Sequence, residues 1–163
     1  MTLPPVPHMK LPKRKSLRLE NYDYSSGNFY FITLCTYNKN CMFGLPGDDN
    51  LLRRIVEEEL VGLSARYDGV EIDRYVIMPN HIHAVLIIKE SDPMDPKPRP
   101  TLMQIVGLFK AGVTKRIRQV VPGLQIWQQS FYDHVIRKKD SYVRISRYID
   151  ENPLRWEHDE YYR

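Results

Sequence analysis

The chain has 163 residues, 42% hydrophobic and 27% charged, enough to bury one core without staples and with no need for a second domain. Its net charge of +4 hints at a polyanionic partner, and no apolar run approaches the roughly 18 residues of a membrane span. Two cysteines, Cys35 and Cys41, make neither a disulfide framework nor a four-cysteine zinc site, and the N-terminus carries no apolar signal segment, so a cytoplasmic protein with no membrane partner is expected.

Residues 1–20 combine Pro4, Pro5, Pro7 and Pro12 with Lys10, Lys13, Arg14, Lys15 and Arg18 against one acid, Glu20. Such a composition forms no core of its own and reads as a basic arm, either a solvated tail or a contact to phosphates, ahead of a single domain over 21–163. The aromatic and β-branched run from Asn28 to Tyr37 predicts a central strand. Asp48, Asp49 or Asn50 can then cap a helix whose apolar positions, Leu52, Ile55, Val56, Leu60 and Leu63, recur at helical spacing to about Arg66. Asp68-Gly69 turns the chain into a strand over Val70 to Met78, and Met78-Pro79-Asn80 leads back into its hairpin partner.

That partner is HIHAVLII, from His81 to Ile88. Side chains alternate along a strand, so His81, His83, Val85 and Ile87 share one face while Ile82, Ala84, Leu86 and Ile88 share the other. Two imidazoles on one face can be a hydrogen-bonded structural pair, half of a structural zinc site, or the core of a catalytic divalent-metal site. The pattern by itself does not choose among them.

Residues 89–100 contain four prolines and form a surface loop. Thr101 caps a helix with Leu102, Ile105, Val106, Phe109 and Val113 on its buried stripe, and Pro122-Gly123 ends it. Lys110, Lys115 and Arg118 fall within an arc of about 140° on another side, as a solvated face or a nucleic-acid contact. A last strand is expected around Phe131 to Ile136, and Asp140 caps a short helix over Ser141 to about Glu151. Asn152-Pro153 should stop that helix, since the residue before proline is pushed out of the α region. The order β-α-β-β-α-β-α predicts an α+β fold, a ferredoxin-like four-stranded antiparallel sheet with helices, to which the C-terminal helix is an addition. On that helix Tyr148 and Asn152 are one turn apart on one face, a phenol that can attack phosphorus beside an amide oxygen that can ligate a hard cation. With 11 tyrosines in the chain, and Tyr142, Ile145 and Ile149 already making this helix amphipathic, Tyr148 by itself reads first as a packing residue.

Four segments resemble the HUH superfamily of single-tyrosine transposases, and most of all the REP-associated tyrosine transposases. They are RLENYDYSSGNFYFITLCTYN at Arg18 to Asn38, YVIMPNHIHAVL at Tyr75 to Leu86, WQQSFYDHVIR at Trp127 to Arg137, and YIDENPLRW at Tyr148 to Trp156. The resemblance implies that His81 and His83 are metal ligands, Asn152 the third protein ligand and Tyr148 the nucleophile. It implies a ferredoxin-like core and a single-stranded or hairpin DNA substrate, cut through a 5′-phosphotyrosine link. Two imidazoles and an amide oxygen suit Mg²⁺ or Mn²⁺, and leave positions open for phosphate and water. Trp127, Phe131 and Tyr132 are candidates to stack on unpaired bases or to pack in the core, and His134 to reach the site from its strand or to make a local hydrogen bond. Lys13, Arg14, Lys15, Arg18, Lys110, Lys115 and Arg118 are candidate phosphate contacts. Relatives act as a monomer or as a homodimer. A host-adopted hairpin-binding protein without transposition activity is the alternative, whereas a histidine-triad hydrolase is disfavoured because Val85 stands where its third histidine belongs.

Overall fold

Runs of β-branched and aromatic side chains pair into one antiparallel sheet in a computed structural model that describes residues 28–95 and 97–163. The elements are β1 (Asn28–Cys35), α1 (Leu51–Arg66), β2 (Val70–Ile77), β3 (His81–Ile88), α2 (Leu102–Val120), β4 (Tyr132–Ile136) and α3 (Lys139–Glu151). The sheet order is β2-β3-β1-β4, with every neighbouring pair antiparallel. Strand β3 therefore fills the gap left between β1 and β2, which is the split βαβ, ferredoxin-like arrangement that the element order predicts.

Alternation along the two central strands creates two cores. Tyr30, Ile32 and Leu34 of β1 and Ile82, Ala84, Leu86 and Ile88 of β3 enter the larger one, with Ile55, Val56 and Leu60 of α1 and Ile105, Phe109 and Val113 of α2. Phe31 and Val85 point the other way, into a smaller core with Ile136, Ile145 and Ile149 that also takes Tyr142 and Tyr148 at its edge. The histidine face of β3 is thus the face that α3 covers. Burial on both sides holds β3 rigidly, because a slip of one residue would send every core side chain to the wrong face.

The helix starts follow their caps. Asn50 accepts from the Arg53 N–H to open α1, and Thr101 with Gln104 forms a reciprocal capping box on α2. Strand β2 stops at Ile77, one residue short of expectation, and α3 ends at Glu151 as expected, but three details differ from the sequence reading. Strand β1 ends at Cys35, because the buried Thr36 hydroxyl bonds the carbonyls of Asn40 and Asn80 and turns the chain into a short 3-10 turn, Tyr37–Lys39. Helix α3 begins at Lys139 with Lys138 at its N-cap, so Asp140 lies in the first turn, where its charge complements the helix dipole instead of capping. Asn152 keeps right-handed helical angles, φ −56 and ψ −43, and the chain runs on as a 3-10 segment, Asn152–His158. The steric bias before proline is overridden there: Asn152 is buried, and Pro153 stands in the first turn of a helix, where its missing N–H costs nothing.

Helices α1 and α2 meet over a buried charge. Glu59 is 6% exposed and accepts from Arg66 at 2.7 Å and Arg116 at 3.1 Å. A Cβ at Gly112 of α2 would lie 2.6 Å from Glu59 Oε2. The carboxylate is pinned by two guanidinium groups and has little room to yield, so Gly112→Ala should destabilise the fold by about 1–3 kcal/mol. Urea unfolding measures this as a lowered midpoint, and an unchanged midpoint would show that the ion cluster moves freely.

Candidate active site

Strand β3 presents both imidazoles under α3, and each is fixed through its outer nitrogen. His83 Nδ1 lies 2.8 Å from Thr33 Oγ1, on the residue directly opposite it in β1. His81 Nδ1 lies 2.8 Å from Asn80 Oδ1. Asn80 donates from its amide nitrogen to the carbonyls of Lys39 and Tyr161, at 3.2 and 2.7 Å, so its oxygen is left to accept. The proton of His81 must then sit on Nδ1, and its Nε2 lone pair turns inward. Both rings are fully buried. Burial drives the His83 pKa down to about 3 and lowers that of His81 further, with the neighbouring His83 and then Lys39 adding to the shift. Near neutral pH both are uncharged, the form that ligates metals.

Helix α3 brings the tyrosine to this pair. The Tyr148 hydroxyl lies 3.3 Å from His83 Nε2, with ring centroids 5.1 Å apart. Ile145 and Ile149 anchor the helix in the smaller core, which aims Tyr148 along the sheet at the histidines. Burial raises the phenol above its ordinary pKa and the Asp159 charge adds to this, while a hydrogen bond with Asn152 opposes both.

The 3-10 continuation supplies a residue that the sequence reading missed. Asp159 Oδ2 stands 3.7 Å from His81 Nε2, and ligand atoms of His81, His83 and Asp159 lie within 4.8 Å of one another. Burial raises the Asp159 pKa above the usual carboxylate range, against hydrogen bonds from the Tyr161 backbone and the Asn152 side chain. Asp159 follows the proline at which the helix was expected to stop, inside the polar run His158-Asp159-Glu160, so no spacing rule pointed to it. Asn152 is 3% exposed and within hydrogen-bond reach of both Tyr148 and Asp159. Among the described residues, Asn152 Oδ1 and His81 Nε2 have no hydrogen-bond partner.

These contacts decide whether a cation fits. Ligand atoms of two imidazoles and a carboxylate converge in a buried volume with the Asn152 side chain beside them, and among the described residues His81 Nε2 and Asn152 Oδ1 face no donor. Buried acceptors without donors are costly, and a divalent ion satisfies them together. The residues present therefore suit such an ion. Tyr161 covers the place, with its ring 4.5 Å from that of His81 and Lys39 above it.

The remaining candidates are dispersed. Trp127 is 9% exposed, packs on Phe43 and Phe109 and donates its indole N–H to the Lys110 carbonyl, so it is a core residue with no open face for a base, contrary to the stacking role considered for it. Lys110 donates to the carbonyls of Gln128 and Ser130 and lies over the rings of Trp127 and Phe131. Arg118 donates to the Leu124 carbonyl, and Lys115 is exposed. Tyr132 stands opposite Thr33 and His134 opposite Phe31, which puts both on the histidine face of the sheet one strand farther out. Lys13, Arg14, Lys15 and Arg18 lie outside the described residues.

No family model matches the chain. A Haemophilus influenzae protein of uncharacterised activity is 36% identical to it, over 91% of this chain and 93% of its own length. Among solved structures, a REP-associated tyrosine transposase bound to a REP hairpin superposes with a TM-score of 0.59 at 19% identity, covering 85% of this chain and 73% of that one. That likeness establishes the fold. A Deinococcus radiodurans protein provisionally assigned as a transposase gives a TM-score of 0.48 at 17% identity, over 82% of this chain and 95% of that one, which carries no argument.

The buried histidines make acid stability a measurable signature. His83 has a folded pKa below its ordinary 6.5, so the folded state binds fewer protons than the unfolded one. Its contribution is fully present above pH 6.5 and is lost as pH falls toward 3, with a limiting slope of about 1.4 kcal/mol per pH unit. In chelator-treated protein, urea midpoints should fall from pH 6.5 to 4.5, and His83→Gln should flatten that fall. Equal slopes in both proteins would contradict the burial of a neutral imidazole.

Proposed function

We propose that this chain, which belongs to one family with the Haemophilus influenzae protein and has the fold of the REP-associated tyrosine transposase, cleaves and rejoins single-stranded DNA beside a hairpin, with Tyr148 as the nucleophile. The observation that carries the reading is the Tyr148 hydroxyl, 3.3 Å from His83 Nε2 at the edge of a buried set of acceptors. His81, His83, Asn152 and Asp159 would hold a divalent cation, Mg²⁺ or Mn²⁺. When bound, such an ion supplies positive charge that favours the phenolate and draws electron density from phosphorus.

The rest is performed by the chain's own residues. Thr33 and Asn80 orient the two rings, and Ile145 and Ile149 hold α3 so that the phenol is delivered on a rigid element. The Tyr148 oxygen forms a bond to phosphorus as the bond to the 3′ oxygen breaks, and in net terms the phenol's proton ends on the 3′-hydroxyl. A 5′-phosphotyrosine link results, which keeps the phosphodiester energy and lets a second 3′-hydroxyl rejoin the strand without a nucleotide cofactor. Exposed Lys115 is a candidate phosphate contact, and Lys13, Arg14, Lys15 and Arg18 would add others.

A second reading is favoured by one feature, the Tyr161 ring lying against His81. On it the protein is a host-adopted binder that holds a hairpin with the site closed. Incubation with a labelled hairpin oligonucleotide and Mn²⁺ separates the two. The enzyme should form a denaturation-resistant adduct in which the labelled peptide contains Tyr148, and Tyr148→Phe should bind the hairpin within about twofold of wild type while forming none. An adduct in the phenylalanine variant, or one mapped to Tyr132, would overturn the assignment of the nucleophile; tight binding with no adduct in wild type would establish the binder.

A further inference from the structure

The face of the sheet under α3 carries a second concavity, away from the histidines. A groove of about 490 Å³ has Phe29, Ile87 and Ile136 as its floor and Tyr142 as one wall. The three floor residues form a single rung across β3, β1 and β4, since Phe29 is paired with both Ile87 and Ile136. Phe29 is 39% exposed, a large apolar surface for a ring at the sheet's centre. Tyr142 meets it edge-on with centroids 5.8 Å apart and is held there by its hydroxyl, which donates to Asp73 at 2.7 Å. Arg137, Lys138 and Lys139 ring the groove and are exposed. Neither lysine is paired with a carboxylate among the described residues, and the nearest acids in sequence or lining are Asp140 and the already engaged Asp73.

Position relates this groove to the tyrosine. Ile87 is four residues along β3 from His83, about 13 Å on a strand, and Tyr142 is six residues along α3 from Tyr148, about 9 Å on a helix. Both places lie on one sheet face beside one helix. Phosphates recur every ~3.4 Å along a stacked strand and farther apart when it is stretched, so a strand with one phosphate at Tyr148 reaches the groove within a few nucleotides. An apolar slot with one exposed ring and cations at its mouth matches one unpaired nucleotide: the base enters, and its phosphate stays outside on the lysines. Hydrophobic burial alone would not account for three consecutive cations at the rim.

We infer that the groove receives one unpaired base of the DNA strand attacked by Tyr148, stacked on Phe29, with the adjoining phosphate held by Lys138 and Lys139. The inference rests on the DNA-cleavage reading above. Its test uses the full chain carrying Tyr148→Phe, so that nothing is cut, and fluorescence anisotropy on a hairpin with a single-stranded extension. An abasic site moved one position at a time through the extension should weaken binding about 5- to 100-fold at one position and little elsewhere. Phe29→Leu, which keeps apolar bulk without a ring, should weaken binding to intact DNA by a similar factor and remove the sensitivity at that position. Lys138→Gln combined with Lys139→Gln should lower the salt slope by about 0.7, the loss of one phosphate contact, and leave the abasic pattern in place. An abasic pattern that survives in Phe29→Leu, or a salt slope unchanged in the double lysine variant, overturns the groove. Adduct formation by the Tyr148 protein run in parallel shows whether the cleavage reading stands when the groove fails, whereas no binding of any hairpin overturns both.

Discussion

Everything around the tyrosine depends on one constraint: two buried imidazoles are tied at their outer nitrogens and turn their inner nitrogens toward other polar groups. Thr33 and Asn80 fix the rings, and Asn80 can do so with its oxygen only because its amide nitrogen already donates to the Lys39 and Tyr161 carbonyls. Asp159 completes a cluster with Asn152 beside it, and among the described residues His81 Nε2 and Asn152 Oδ1 have no donor. Such a cluster opposes folding, since each unsatisfied buried acceptor costs about 1–3 kcal/mol. On the function proposed above, a divalent ion held at this cluster would offset that cost.

The scaffold tolerates this because each central strand is packed on both sides. The larger core under α1 and α2 holds one face of β3 and leaves the opposite face for chemistry, where α3 needs only Ile145 and Ile149 to stay in place. Continuation of α3 through Asn152 into the 3-10 segment matters as much as the strand. It returns Trp156, Asp159 and Tyr161 over the histidines, so one helix and its extension carry the tyrosine, the amide, the carboxylate and the cover.

Much of this was legible in the sequence for physical reasons. Period-two alternation in HIHAVLII placed both histidines on one face, and the turn and cap residues Asn50, Thr101 and Gly69 bounded the elements that make the ferredoxin-like order. Spacing of four put Tyr148 and Asn152 on one side of a helix. Asp159 was not legible, because the rule that a helix stops before proline hid the 3-10 turn that carries it. Trp127 was ambiguous for a related reason: an aromatic ring looks the same in sequence whether it faces solvent or, as here, fills a core between Phe43 and Phe109. The groove at Phe29 is assembled from three strands and a helix start, and only pairing register brings those residues together.

The account stands most directly on the acceptor cluster, and a Mn²⁺ titration of chelator-treated protein followed by electron paramagnetic resonance examines it without DNA. The wild-type chain should take up one Mn²⁺, Asn152→Ala and Asp159→Ala should each bind it about 10- to 100-fold more weakly, and His81→Ala with His83→Ala should bind none at that stoichiometry. Uptake of Mn²⁺ by the double histidine variant with wild-type affinity would contradict the account, whatever the protein proves to do with DNA.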